Sequence, residues 1–526
     1  MVMVKFTLRD DYWETFQLEE ADIEHLYNHL LEVETPLTPE EMLSVLVEGR
    51  VQREIARIEN ERKAGGEVYA PREHYEVGQQ LLFPALGWQR GEVVNVRPGK
   101  NPDLGTFSVI EVAFASGEHR EFAADYPDHP LNNPPEVATG EEFDPQHIIA
   151  TYGDALLQAL QEGLQAHPDF VRIAGRWFPR ALLVDINIGH LNLAEAVLDM
   201  AGGGPLPTSE IIKQIELTAN ATPKLLEFSL DLALQEDERF DEVGPAGDVL
   251  WYLRRLEPEG VITQPLVLRY TPMEYDRDVL EPEMLVLEQI LDDELSAPYV
   301  AADDFPGAVQ VPLIFPHWQA GTLPLSSRIA PIFPTAYEAP RVRFMLVDGR
   351  TGERFPGWVV RKERYVYGLK EWYEKNGLMP GSLVSVRRGE NPGDVIVECG
   401  TRRANKEWVR TALIGSDGGI VFATLPQRVS TEYDERMAII ISDVDALHAL
   451  WEEGRYQRMP FERVVVNMTR ELSKLTPQAH VHATELYAAI NLVRRCPPGP
   501  LLGLLASRPW FVHVGDLYFR FDDSAE

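Results

Sequence analysis

Residues 233–252 read ALQEDERFDEVGPAGDVLWY. Just upstream, Leu226, Leu230, Ala233 and Leu234 recur at helical spacing and form one apolar stripe. A polar run ends that period. Phe240, Val243, Gly244 and the pair Trp251-Tyr252 then describe two short strands with glycine at the reversal. The same order occurs twice more. Residues 163–178 read GLQAHPDFVRIAGRWF, with Phe170, Ile173 and Gly175 in the matching places, and residues 504–519 read LLASRPWFVHVGDLYF, with Phe511, Val514 and Gly515. Each copy predicts a helix running into a two-stranded hairpin.

Helix starts precede two of the copies. TSEIIKQI from Thr208 and TELYAAI from Thr484 each offer a threonine cap with glutamate in the first turn. Thr222-Pro223 adds a cap followed by proline at the first helical position. Helices followed by a hairpin make a winged helix. The second copy, about 191–256, resembles the HARE type of winged helix, as found in the RNA polymerase delta subunit. PLPTSEI, SLDLALQEDERFDEVGPAG and the LWYL strand carry the resemblance. It implies a transcription or chromosome-maintenance setting, with DNA or a protein such as RNA polymerase as partner. Looser copies lie at about 144–183 and 480–521. ALQEDERFDEV holds five acids and one base, which points the second copy toward protein contacts.

Two stretches switch to period two. In 67–135, the runs Leu81–Phe83, Gly91–Val96 and Phe107–Phe114 predict a small barrel-like antiparallel module. The second stretch runs from about Arg341 to Ala423. VNVRPGKNP (94–102) and VSVRRGENP (384–392) share Val-x-Val-Arg-x-Gly-x-Asn-Pro, a strand, a reversal and a returning strand. Residues 352–398, with GERFPGWVV and YGLKEWYEKNGLMPGSLVSV, are similar to the B3-type DNA-binding pseudobarrel. They depart from it at Leu369-Lys370-Glu371-Trp372, which lacks glycine before tryptophan, and at Gly381-Ser382 in place of Gly-Asp.

Charge is unevenly spread. The chain of 526 residues carries a net −34, so polyanions are repelled by most of its surface. Residues 341–411 hold fifteen Lys and Arg against nine Asp and Glu, a net of +6, and subtracting that from −34 leaves −40 on the remainder. Arg361, Lys362, Arg364 and Tyr365 cluster; Arg387 and Arg388 adjoin the shared turn; Arg402, Arg403, Lys406, Trp408 and Arg410 follow. Arginine interleaved with aromatics suits phosphate pairing and base stacking. Trp408, flanked by charge, is the expected exposed stacker. The alternatives are a basic face that docks on the chain's own acids, above all the ten within 276–304, and a separate acidic partner.

The expected fold class is α+β and multi-domain, with winged-helix modules combined with small β-barrel-like modules. The expected division is an acidic helical segment (1–66), the β-barrel-like module (67–135) and a winged-helix-like module (136–190). The HARE-like winged helix (191–262), an acidic, proline-rich linker or wrapping segment (263–340) and the basic B3-like module (341–425) follow. An α/β connector (426–475) and a C-terminal winged-helix-like module (476–526) complete it.

Chemistry is sparse. Gly99-Lys100-Asn101 is no phosphate-binding loop, and Gly202-Gly203-Gly204 precedes Pro205 as a hinge. The His25/His29 and His480/His482 pairs lack further ligands for zinc. No catalytic residue, cofactor or metal is expected. The two cysteines, Cys399 and Cys496, suit a reducing cytoplasm. No apolar run approaches the roughly 18 residues of a membrane span, so no membrane partner is expected. The reading is a non-enzymatic, nucleic-acid-associated protein that binds DNA through the basic stretch. The alternatives are an acidic scaffold or RNA polymerase accessory acting through winged helices, and an enzyme of unrecognised type.

Overall fold

The computed structural model describes residues 11–63, 67–83, 86, 89–101, 106–115, 117–129, 132, 143–218, 221–299, 307–391 and 393–522. They form a multi-domain α+β protein of two compact units, residues 1–185 with 219–229, and residues 186–218 with 230–526.

In the first unit, α1 (Glu20–Val33) and α2 (Pro39–Lys63) follow each other closely. Thr38 and Glu41 form a reciprocal cap: Glu41 N donates to Thr38 Oγ1 at 3.2 Å and Thr38 N to Glu41 Oε2 at 2.8 Å. Arg50 of α2 reaches the fully buried Asp22 of α1, with Nε donating to Oδ1 at 3.0 Å. The chain then makes a sheet of β1 (Glu67–Val68), β2 (Gln80–Phe83), β3 (Gln89–Pro98), β4 (Ser108–Phe114) and β5 (His119–Ala124), ordered as in the sequence. Alternation buries Ile110, Val112 and Phe114 of β4 with Phe83 and Val93. The helix α3 (Pro145–Ala166) and the hairpin β6 (Phe170–Ile173) and β7 (Arg176–Pro179) complete the unit. Leu37 and Trp177 exchange backbone hydrogen bonds of 3.2 and 2.8 Å. The 1–66 helices therefore belong with the 136–190 segment, and the five-stranded sheet is inserted between α2 and α3. Separate modules were expected because only a long-range pairing joins the parts. The Gly65-Gly66 pair, expected to end the acidic helical segment, lies outside the described residues.

With the inserted sheet set aside and the isolated bridge at Leu37 standing in the place of the first strand, the second unit has the same element order. It runs α4 (Ile188–Met200), β8 (Leu206–Pro207), α5 (Thr208–Gln214), the part of α6 (Pro223–Gln235) from Leu230 onward, β9 (Phe240–Glu242) and β10 (Leu250–Leu253), with strands ordered β8-β10-β9; α6 up to Ser229 is counted with the first unit. Thr208 is not the cap. Its buried hydroxyl donates to Asp231, and Trp251 Nε1 donates to Asp231 Oδ1 at 2.8 Å and to Thr208 Oγ1 at 3.1 Å. Gly244 does not make the reversal either; Gly247 carries the positive φ, 106°. Gly244 is small because the Asp248 carbonyl would lie 2.0 Å from any Cβ.

The expected linker or wrapping segment, 263–340, contributes helices and strands of its own. After α7 (Glu259–Ile262) come α8 (Pro282–Leu291), β11 (Ala308–Pro312), α9 (Phe315–Ala320) and β12 (Thr322–Pro324). With β13 (Arg341–Asp348), β14 (Arg354–Val360), β15 (Tyr365–Tyr367), β16 (Leu383–Arg388) and β17 (Asp394–Cys399) they build a seven-stranded sheet ordered β11-β16-β17-β13-β14-β15-β12. Pro312 and Pro324 end the two edge strands, the positions where a missing N–H is tolerated. Within this sheet, among the described residues, β13 and β17 are the one parallel pair. Between β15 and β16, α10 (Lys370–Asn376) buries Trp372, whose Nε1 donates to Asp348 Oδ2 at 3.0 Å.

Beyond the sheet, β18 (Thr401–Ile414) and β19 (Ile420–Thr431) form a long ribbon, joined by β20 (Ile440–Ile441). The helices α11 (Val444–Glu453), α12 (Arg455–Arg458) and α13 (Phe461–Ser473) precede β21 (His480–His482), α14 (Ala483–Val493), α15 (Pro498–Ser507), β22 (Phe511–Gly515) and β23 (Tyr518–Phe521). The order β21-β23-β22 is that of β8-β10-β9. Counting α13, this is the third occurrence of helix, strand, helix, helix, hairpin, so the expected boundary at 476 separates it from its first helix. Thr484 is not a cap; His482 is, its Nδ1 accepting from Thr484 N at 3.1 Å, with Glu485 returning to His482 N.

Candidate nucleic-acid interface

Between β17 and β18 stands one residue, Gly400. A Cβ there would lie 2.3 Å from the Glu432 side chain. The ribbon that leaves this point alternates its side chains between two faces. Ala412 and Phe422 are cross-strand partners and buried, which anchors one face in the core. Moving outward along that face, the pairs are Arg410 with Thr424, Trp408 with Pro426, and Lys406 with Arg428. Trp408 is 71% exposed, and Lys406, Pro426 and Arg428 are exposed. Lys406, Arg428 and Arg403 have no carboxylate partner among the described residues. Two cations directly opposite each other on a sheet repel.

A second cationic group lies elsewhere. Strands β14 and β16 run in the same sense, each antiparallel to a member of the parallel pair β13 and β17. The turn after β14, with Arg361, Lys362 and Arg364, and the end of β16, with Arg387 and Arg388, therefore share one end of the sheet. The ribbon departs from the other end, where β17 finishes. At the first end, Arg361 Nη1 donates to the Ala339 carbonyl at 2.8 Å and Arg388 donates to the Pro331 carbonyl. Lys362, Arg364 and Arg387 meet no carboxylate among the described residues. Arg388 also edges a cleft of about 510 Å³ lined by Pro331–Thr335 and the β16–β17 turn.

Three expected contact residues are occupied. Tyr365 is 1% exposed and donates to the Gly260 carbonyl at 2.7 Å, so it packs the core and is not a stacker. Its place in a strand paired on both sides buries it. Arg410 forms an ion pair with Glu485 and donates to the Arg436 carbonyl. Arg402 pairs with Glu407 at 2.8 Å and lies over the Tyr433 ring at 4.6 Å. Arg341, paired with Asp241 outside the stretch, takes up one further charge of the net +6, whereas Arg354 with Asp394, through two bonds of 2.6 and 2.7 Å, and Lys375 with Glu353 are pairs internal to it. Arg428 was missed by sequence reasoning. It lies outside the basic stretch, and only the strand register brings it beside Lys406.

Among the described residues, no acid of 276–299 forms an ion pair with these cations, and Asp303 and Asp304 lie outside the described residues. Arg277 pairs with Glu288, Arg328 with Asp292, and the fully buried Arg495 with both Asp293 and Glu294 at 2.7 Å. Glu294 also meets His317 Nε2 at 3.1 Å, and the Tyr487 hydroxyl donates to Asp293. Burial pushes the Asp293 carboxyl up, whereas Arg495 and His317 draw Glu294 down despite its burial. This cluster ties α9 and α14 to the residues after α8.

In the last helix–hairpin repeat, α15 buries Pro498 through Gly503 and Leu505. Gly499 and Gly503 lie against Tyr275, whose hydroxyl would be 2.2 Å from a Cβ at Gly499 and whose ring would be 3.0 Å from one at Gly503. That helix face is not free to enter a groove. Among the described residues no group of His, Cys, Asp and Glu is arranged to hold a metal ion, and no helix is long and apolar enough to cross a membrane. Comparison with protein-family models, with curated proteins and with solved structures found no match to this chain.

Proposed function

We propose that this chain is a modular nucleic-acid-associated protein that binds through the β18–β19 ribbon, with the cationic end of the seven-stranded sheet as a second contact. The observation that carries this reading is the ribbon register. It sets an exposed Trp408 beside Lys406 and Arg428, neither neutralised by a carboxylate among the described residues, in a chain of net −34. The recurring order of helix, strand, helix, helix and hairpin supports the winged-helix reading. The likeness of 191–256 to the HARE type and of 352–398 to the B3 type supports DNA as the nucleic acid and transcription or chromosome maintenance as the setting. Two free cysteines suit the cytoplasm.

The test is binding of the full chain to labelled DNA, followed by fluorescence anisotropy across a salt series. Binding at low salt with log K falling linearly against log salt is the expected result. The double charge reversal Lys406→Glu/Arg428→Glu is expected to weaken it at least ten-fold. No binding to any DNA form at low salt would sink the proposal.

A second reading is a protein scaffold or RNA polymerase accessory. It is favoured by the burial of α15 and the acidic surface of the second repeat. Purified polymerase bound by the chain after nuclease treatment would support it over the first.

A further inference from the structure

Resting on the nucleic-acid reading, we infer that the ribbon is built for single-stranded nucleic acid, with Trp408 as a platform for one unpaired base and Lys406 and Arg428 as the seat of the adjoining phosphate. The centre of the face is the pair Trp408–Pro426. Neither residue offers the paired donors and acceptors that read base edges in a groove. What this centre offers is a flat apolar ring, 71% exposed. In a duplex the faces of the bases are covered by their neighbours, so a ring of this kind finds a partner only where a base is unstacked.

The cations are placed to match. Residues two apart on one strand share a face and stand about 6.8 Å from each other. The Lys406–Arg428 pair therefore lies one such step outward from the indole, and Arg410 one step inward. Arg410 is already satisfied by Glu485 and a backbone carbonyl. The outer pair is not, and its mutual repulsion is relieved when an anion sits between the two charges. Phosphate thus lies on the outer side and the base on the ring. Glu407, the nearest acid in sequence, is on the opposite face, engaged by Arg402 and Tyr433.

The experiment uses the full chain with three labelled probes of about 20 nucleotides: oligo-dT, oligo-rU and a mixed-sequence duplex. Tighter binding of a single strand than of duplex is expected, and the dT and rU arms distinguish DNA from RNA. Trp408→Ala should weaken the single-strand complex roughly ten-fold or more and weaken duplex binding by a smaller factor. Trp408→Phe should retain most affinity while removing the quenching of tryptophan fluorescence by the oligonucleotide. Because Trp408 is exposed, both variants are expected to fold, which circular dichroism checks. Duplex binding equal to or tighter than single-strand binding, or a neutral Trp408→Ala, overturns this inference and leaves the broader nucleic-acid reading standing. Failure of all three probes overturns both.

Discussion

Glu257 has its side chain fully buried next to Asp241, and Arg341 is the cation they share. Burial, with the Asp241 charge adding to it, holds the Glu257 carboxyl well above the usual carboxylate range, against Arg341 and Arg254 pulling down. Burial likewise raises Glu242 from 4.5 to about 7. For both groups the fold favours the protonated form. Their contribution to stability is complete below the ordinary pKa and is lost as pH climbs through the raised one. His482 runs the other way: burial, then Arg436, lowers it from 6.5 to about 4, and its neutral ring caps α14. Its contribution is present above 6.5 and is lost as pH falls through about 4. Chemical denaturation of the chain should therefore show stability rising as pH is lowered from about 8 toward 5. Glu257→Gln should flatten that rise by up to about 1.4 kcal/mol per pH unit. At this scale the sequence was partly legible. Thr222 announced its own cap, with Leu225 N donating to its Oγ1 at 3.3 Å, because capping is local, whereas the caps expected at Thr208 and Thr484 fall to the residues before them. Tyr365 and Trp408 have similar charged neighbours, yet one is buried and the other exposed. That difference is set by which strands flank them, and no local pattern contains it.

Among the elements, α14 and α9 meet around Arg495. Replacing Arg495 with methionine leaves Asp293 and Glu294 buried without their cation, a loss expected at about 3–5 kcal/mol in urea unfolding. Adding Asp293→Asn and Glu294→Gln to that variant should recover part of it, which a simple packing defect would not. At the start of α2, Thr38→Ala should cost about 1 kcal/mol through loss of the reciprocal cap. Most strands were legible from period two, as in β13, whose buried residues Val342, Phe344, Leu346 and Asp348 alternate without a break. The edge strands β11 and β12 were not, because short runs ending in proline look like linker until a partner strand is seen. The split of the first helix–hairpin repeat was hidden for a similar reason. Its closing contact, Leu37 to Trp177, spans the entire inserted sheet.

For the molecule as a whole, a net charge of −34 makes the folded state self-repelling. Added salt screens that repulsion and also competes for phosphate at the ribbon. Two measurements on one sample should thus move in opposite directions between about 50 and 200 mM salt: the melting temperature rises while affinity for oligonucleotide falls. A melting temperature that drops over that range would mean that local ion pairs, such as Arg354 with Asp394, outweigh the global field. The junction at Gly400 has a mechanical consequence. The ribbon is the direct continuation of β17, which is interior to its sheet, with β16 on one side and β13 on the other. Tension on a strand gripped at Trp408 therefore runs lengthwise into the middle of that sheet, where it loads two rows of backbone bonds in shear instead of unzipping an edge.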